Sequence, residues 1–388
     1  MPITRSFLIP PIIVGRGAAA QVGEEARKLE VEKALIVTDT IMANLPVMTD
    51  IRNSLEQAGL QYTIFDGVHS EPTTEIVQEG LKVFKEDSCD FVIAVGGGSP
   101  IDAAKAISVM VTNPGSIENY MGVGKIAKEG VPMVAIPTTA GTGSEVTPYT
   151  IITETNTNVK MLINSPKVIP RLAIVDFMLT LSCPPGITAS IGLDALTHSI
   201  EAYVSLKAQP MSDAFCLSAI ELISKNLRQA WADGNNEEAR EKTMLGALQA
   251  GISFSNASVA LVHGMSRPIG AYFHVPHGAS NAALLPLIMD FSYRANPTRY
   301  AHIARAMGED IAGKTDLETA RLAVKAVEKL TSDIKVLSLS QLGVDLEKLG
   351  RLASQMAEDA IASGSPANNP RQATKDEIIE LYKRAYSL

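Results

Sequence analysis

The chain has 388 residues, which at ~150 residues per domain is too long for one hydrophobic core and predicts two or three domains. Apolar residues make up 46% and charged residues 20%, the balance of an ordinary globular protein. Acidic residues outnumber basic ones, 42 to 34, for a formal net charge of -8 with no dense Lys/Arg run, which excludes a general nucleic-acid or anionic-membrane surface.

The N-terminal residues 1–11 contain one Arg and a short apolar patch broken by Pro10 and Pro11, unlike a signal peptide. No run of ~20 apolar residues predicts a membrane-crossing helix. Cys89, Cys183 and Cys216 are odd in number and widely spaced, so neither a disulfide framework nor a CxxC zinc site is expected. A cytoplasmic location follows as the expectation.

From the N-terminus, short apolar runs alternate with helical patterns. Strands are predicted at 34–39, 61–65, 90–95, 132–136 and 172–175, and helices at 47–58, 73–86 and 100–111. Such alternation implies a parallel sheet covered on both faces. After Pro184, Pro185 and Gly186 the strand signals stop. Helical periodicity then runs through 188–205, 212–231, 236–258, 297–307, 316–332, 345–360 and 374–386, with a capping-box spacing at Thr374 and Glu377. The expected organisation is an α/β dinucleotide-binding domain over 1–183 and an all-α metal-binding and substrate domain over 184–388. Residues 363–370 read as an exposed, turn-rich connector, and His263 as the end of a helical stretch.

Gly96, Gly97, Gly98, Ser99, Pro100, Ile101 and Asp102 follow a strand and open a helix. Here a parallel sheet binds phosphates, because glycines let the backbone approach and helix-start N–H groups point outward. Ser99 with Pro100 and Asp102 is equally a helix cap, but a cap does not require three glycines. The motif is neither GxGxxG nor a P-loop. A second Thr/Ser/Gly-rich loop spans 137–145 after the next strand. Asp39 ends a strand, where it either accepts from a ribose 2′-OH or caps a turn.

The chain has six histidines. Asp194 and His198 stand four apart on a predicted helix, so their side chains share a face. His263 and His277 flank residues 264–276. One carboxylate with three imidazoles suits Fe²⁺ or Zn²⁺. Each histidine by itself reads equally as a core or surface residue.

Four stretches together, at 96–102, 137–146, 192–201 and 263–278, resemble the iron-containing (group III) alcohol dehydrogenases in motif, order and spacing, in a pattern near that of lactaldehyde:propanediol oxidoreductases. The resemblance implies the dehydroquinate synthase-like fold: an α/β N-terminal domain with a parallel sheet and an all-α C-terminal domain. It implies metal ligation by Asp194, His198, His263 and His277. It maps the nucleotide site to Asp39, Gly97, Gly98, Ser99, Asp102, Thr138, Thr139, Ser144 and Lys160. It places Leu179 beside the nicotinamide, Phe254 in the substrate pocket, and the chain in a homodimer or higher homo-oligomer. The implied reaction is reversible hydride transfer between NAD and a primary alcohol or its aldehyde, with Fe²⁺ (or Zn²⁺) as Lewis acid on the substrate oxygen. Asp39 would favour NAD over NADP.

The chain departs from the family pattern four residues after His263, where a second histidine is common and Arg267 stands. An arginine stays charged and cannot serve as a base. Arg267 therefore either binds an anionic group on the substrate or pairs with a local acid or the nucleotide phosphates. Two rival readings remain: a glycerol dehydrogenase or dehydroquinate synthase relative, and a nucleotide-binding protein that has lost its chemistry.

Overall fold

A computed structural model describes residues 7–69, 71–156 and 159–386. Residues 1–6, the larger part of the N-terminal segment read above, lie outside the described residues. The chain divides into two compact units, Leu8–Leu181 and Ser182–Leu388, and Phe7 stacks on Phe215 of the second.

The first unit is built on a six-stranded, all-parallel sheet. Its strands are β1 (Ile12–Val14), β2 (Lys33–Val37), β3 (Gln61–Phe65), β4 (Phe91–Gly96), β6 (Met133–Pro137) and β9 (Leu172–Val175), in the order β1-β9-β6-β4-β2-β3. A smaller sheet joins β5 (Gly122–Val123) to the antiparallel pair β7 (Tyr149–Glu154) and β8 (Val159–Asn164). Helices α1 (Val22–Arg27), α2 (Thr40–Ala43), α3 (Pro46–Gln57), α4 (Thr74–Glu86) and α5 (Gly98–Thr112) complete the unit.

Leu35, Val37, Val92 and Ala94 pack with Phe84, Ile101 and Ile107 on one face. Their neighbours in the chain, Ala34, Ile36, Ile93 and Val95, pack with Met48, Ile51 and Leu55 on the other. Side chains alternate along a strand, so a sheet buried on both faces needs uninterrupted apolar runs. Those runs made β2, β4, β6 and β9 visible in the sequence, whereas the three-residue edge strand β1 was not predicted. The β7–β8 pair carries mixed polar residues and gave no such signal.

The second unit is helical: α6 (Pro185–Val204), α7 (Pro210–Ala232), α8 (Glu237–Asn256), α9 (Leu261–Phe273), α10 (His277–Ser292), α11 (Pro297–Ala306), α12 (Asp316–Asp333), α13 (Leu346–Ala362) and α14 (Lys375–Tyr386). The capping box before α14 forms as expected: Thr374 N–H donates to Glu377 and Glu377 N–H donates to Thr374 Oγ1. Among the described residues no single helix is long and apolar enough to cross a membrane; α8 and α9 meet both conditions only as a pair bent by 101°.

Three readings need correction. Helices α9 and α10 were not predicted: α9 contains Gly264, Pro268 and Gly270, residues that read as helix breakers, and α10 is apolar on most sides and shows no helical period. His263 consequently lies in the first turn of α9, not at the end of a helix. The connector 363–370 is exposed only in part: Gly364 and Ala367 face solvent, but Ser365, Pro366, Asn368 and Asn369 are buried. Asn368 Nδ2 donates to Ser258 Oγ and the Val259 carbonyl, 2.9 and 3.1 Å away, and so pins the bend between α8 and α9. Turn-forming amides serve inside the protein too, wherever a buried bend leaves carbonyls to satisfy.

The contact between α6 and α10 depends on Gly278. A Cβ there would lie 2.9 Å from the Ser190 carbonyl oxygen, one turn before Asp194. Gly278→Ala is expected to destabilise the protein by about 1–3 kcal/mol through overpacking. Gly186→Ala, on α6 with nothing among the described residues within 4 Å of the added carbon, is expected to be nearly neutral. Denaturant unfolding of both variants checks this, and equal losses would reject it.

Candidate functional site

Helices α6, α9 and α10 bring one carboxylate and three imidazoles into the interior of the helical unit. Asp194, His198 and His263 are buried, and the His277 side chain is 39% exposed. Asp194 Oδ1 lies 3.6 Å from Nε2 of His263, 3.9 Å from Nε2 of His277 and 4.0 Å from Nε2 of His198. Donors around a tetrahedral ion with bonds of ~2.1 Å stand roughly 3.4 Å apart, so small side-chain rotations fit one ion here. Asp194, His263 and His277 form a set whose ligand atoms all lie within 4.8 Å of one another. His198 stands at the margin of that set, its ring stacked on His263 at 4.5 Å and on Phe254 at 4.2 Å.

Electrostatics prepares these donors. Burial by itself would raise the Asp194 carboxyl, but the surrounding imidazoles outweigh it and hold the group below the ordinary carboxylate range. Desolvation, joined by the charges of His263, His198 and Arg267, outweighs the pull of Asp194 and lowers His277, which leaves it neutral with a lone pair to offer. Burial also opposes the charging of His263, yet Glu201 and Asp194 prevail and raise it.

Two further residues complete the centre, and the sequence reading gave neither a role. Glu201, two turns after Asp194 on α6, accepts from the Val262 N–H at 2.6 Å and pairs with His263 Nδ1 at 2.6 Å. That fixes the imidazole with Nε2 inward, as in a carboxylate–histidine–metal arrangement. Its spacing, i+7 from Asp194, was the available signal.

Asn281 lies one turn after His277. Its Nδ2 donates to Asp194 Oδ1 at 2.7 Å and stands 3.1 Å from Nε2 of both His263 and His277. Its Oδ1 is buried and, among the described residues, has no hydrogen-bond partner. The same amide turned end for end would offer that oxygen to a cation, so this orphaned acceptor also fits a metal.

Arg267 stands one turn after His263 on α9. Its Nη1 donates to Ser365 Oγ at 3.1 Å, and its charge is among those that lower His277. Close packing holds α9 against the 363–370 connector: a Cβ on Gly264 would lie 2.6 Å from Pro366 Cγ.

The residues predicted for the nucleotide lie in the α/β unit. All strands of the main sheet are parallel, so Asp39 after β2, Gly97–Ser99 after β4, Thr138 and Thr139 after β6 and Leu179 after β9 share its carboxyl edge. Chain order reverses between β2 and β4, the switch point where open sheets bind ligands. Asp39 caps α2, accepting from the Met42 N–H. Gly97, not Ser99, is the N-cap of α5, so Ser99 and Pro100 belong to the first turn. Gly96 has φ 153°, and a Cβ there would lie 2.6 Å from Pro100 Cγ, so the turn demands glycine on its own account. Leu179 is buried in the core beneath the sheet, and Lys160 on β8 pairs with Glu71.

Asp102 and Ser144 are tied to each other. Ser144 Oγ donates to Asp102 Oδ1 at 2.6 Å and accepts from the buried Lys105 ammonium at 3.1 Å. Glu145 is also buried, and desolvation raises its carboxyl to about 7 despite Lys105.

Comparison with known proteins bears on the whole chain. Residues 10–177 match the model of the iron-containing alcohol dehydrogenases, and residues 188–386 match the C-terminal model of the same family. The chain is 39% identical over 375 residues to the lactaldehyde reductase of Escherichia coli K12, covering 96% of this chain and 97% of that one. It is 38% identical over 384 residues to an NAD-dependent methanol dehydrogenase of Bacillus methanolicus, covering 99% and 100%. A crystal structure of 1,3-propanediol oxidoreductase superposes with a TM-score of 0.95 at 39% identity, over 98% of this chain and 99% of that one.

Glu145 generates a pH prediction. A carboxyl raised in the folded state contributes its full stability below the ordinary glutamate range, and loses it as pH rises through about 7. Glu145→Gln removes this dependence. Unfolding midpoints across that window should therefore show the variant gaining on the parent as pH rises; a constant difference would reject the raised carboxyl.

Proposed function

Because the chain belongs to the iron-containing alcohol dehydrogenase family, an NAD-dependent family of enzymes, we propose that it interconverts a short primary alcohol and its aldehyde, with Asp194, His198, His263 and His277 holding Fe²⁺. The observation that carries the proposal is the convergence of the buried Asp194 and His263 with the half-buried His277, the second side of His263 being fixed by Glu201. His198 as fourth ligand is supported by its 4.0 Å approach to Asp194 and its stacking on His263. Zn²⁺ suits the same donors. The substrate class follows from relatives named for lactaldehyde, methanol and 1,3-propanediol.

When bound, the ion supplies Lewis acidity at a hydroxyl or carbonyl oxygen, and the nicotinamide supplies or accepts the hydride. The chain's residues set the conditions for this. Asp194 remains anionic among the imidazoles, and His277 offers a neutral ring. Glu201 keeps the His263 Nδ1 proton, so Nε2 has its lone pair directed inward. The Phe254 ring covers one face of His198 and supports its place in the substrate pocket. Asp39, Gly97, Gly98, Ser99, Thr138 and Thr139 hold NAD along the carboxyl edge of the sheet, and the Asp39 charge disfavours a 2′-phosphate. The active form is a homodimer or higher homo-oligomer, as the family resemblance implies.

Chelator-treated protein reloaded anaerobically with Fe²⁺ or Zn²⁺ and supplied with NADH and C2–C4 aldehydes tests this reading. Reloading is expected to raise the rate by at least ~100-fold, and His263→Ala to abolish the response. A metal-free protein of undiminished rate would overturn it.

Arg267 favours a second reading of the substrate. A guanidinium near the metal centre, unable to take a proton, suits an aldehyde carrying a carboxylate, sulfonate or phosphonate. Under this reading Arg267→Ala lowers kcat/KM for an anionic aldehyde ~10- to 100-fold more than for its neutral counterpart, the scale of a hydrogen bond to a charged group. Equal losses on the pair would remove it.

A further inference from the structure

Lys105 has no part in the chemistry above, yet it is a fully buried lysine on α5, the helix that opens from the glycine turn. Its Nζ lies 3.1 Å from Ser144 Oγ, 3.0 Å from both Thr147 Oγ1 and the Thr147 carbonyl, and 2.7 Å from the Tyr149 carbonyl. Asp102, one turn earlier on the same face, grips the same stretch. Its Oδ1 accepts from Ser144 Oγ at 2.6 Å and its Oδ2 from the Ile151 N–H at 2.9 Å. Its carbonyl accepts from Thr150 Oγ1 at 2.8 Å. Every one of these bonds joins α5 to residues 144–151, the continuation of the loop that follows β6.

A buried ammonium is unfavourable unless charge and acceptors surround it. Here desolvation lowers Lys105 to about 8, and Asp102 and Glu145 act against that fall. Such a group specifies geometry: an apolar side chain of the same volume would fill the space and hold nothing in register. The Ser144 hydroxyl has its single proton directed to Asp102 and accepts from Lys105, which leaves it little capacity for a ligand.

We propose that Lys105 and Asp102 form a buried clasp that sets the spacing between the glycine turn and the 138–143 loop, and that Lys105, Asp102 and Ser144 are positioning residues for the nucleotide and do not touch it. This rests on the reading that NAD binds at that edge. It also revises the roles that the family resemblance implied for Asp102 and Ser144.

The test uses full-length, metal-loaded protein carrying Lys105→Met, Ser144→Ala, Thr147→Val or Thr147→Ser. NADH affinity is read by fluorescence titration, kcat and KM by steady-state kinetics, and loop order by amide hydrogen exchange. Lys105→Met, Ser144→Ala and Thr147→Val are expected to raise Kd and KM for NADH by ~10-fold, the scale of one unsatisfied buried polar group, with kcat little changed. Amides of 144–151 should exchange faster in the same variants, and Thr147→Ser, which keeps the hydroxyl, should retain affinity. If Lys105→Met does not fold, the Ser144 and Thr147 variants decide.

Loss of affinity in Ser144→Ala with unchanged exchange would make Ser144 a direct contact and overturn the clasp. Faster exchange with unchanged NADH affinity would make the network merely structural and overturn it too. Protection of 96–99 and 138–143 in the parent protein on adding NADH tests the nucleotide edge separately; its absence would reject that edge and the clasp together.

Discussion

One buried negative charge organises the helical unit. Asp194 sits in the interior of α6, where an isolated carboxylate could not remain ionised. The imidazoles gathered on it make its ionisation tenable, and Glu201, two turns further along α6, adds a second carboxylate behind His263. Asp194, His263 and His277 form the set that could hold a metal ion, and Glu201 orients His263 within it. The helix contacts serve that arrangement: α10 approaches α6 at Gly278, α9 lies against Pro366 at Gly264, and Asn368 pins the bend that leads into α9.

The α/β unit meets a comparable constraint with the opposite sign. Its buried charge is an ammonium, Lys105, surrounded by carbonyls and hydroxyls of the loop after β6 and neighboured by Asp102 and Glu145. In the helical unit the buried charge calls for a ligand. In the α/β unit the protein satisfies it internally, with acceptors on Ser144, Thr147 and Tyr149. Within the stretches that resemble a binding motif, Asp102 and Ser144 are bonded to each other.

Family membership fixes the class of reaction, while Arg267 bears on the substrate. The guanidinium lies one turn from His263 and acts on His277 through space, so it belongs to the surroundings of the metal centre. The relatives compared above are named for small neutral alcohols and aldehydes. A permanent charge at this position is a feature by which this chain can differ in substrate choice while keeping its metal chemistry.

The sequence by itself determined the features that depend on local periodicity. Strands β2, β4, β6 and β9 were legible because a sheet buried on both faces requires unbroken apolar runs, and the edge strand β3 because Tyr62, Thr63, Ile64 and Phe65 favour extended backbone. The pairing of Asp194 with His198 was legible because four residues make about one helical turn. Only the tertiary structure decided what depends on distance along the chain. Asn281 reaches Asp194 across 87 residues and Glu201 reaches Val262 across 61, and no period links such pairs. The same holds for Asp102 and Ser144, 42 residues apart, which the motifs presented as two ligand-binding residues and the fold joins by a hydrogen bond. Local pattern determines which way a side chain faces along its own element; what it meets there is set by the packing of the elements around it.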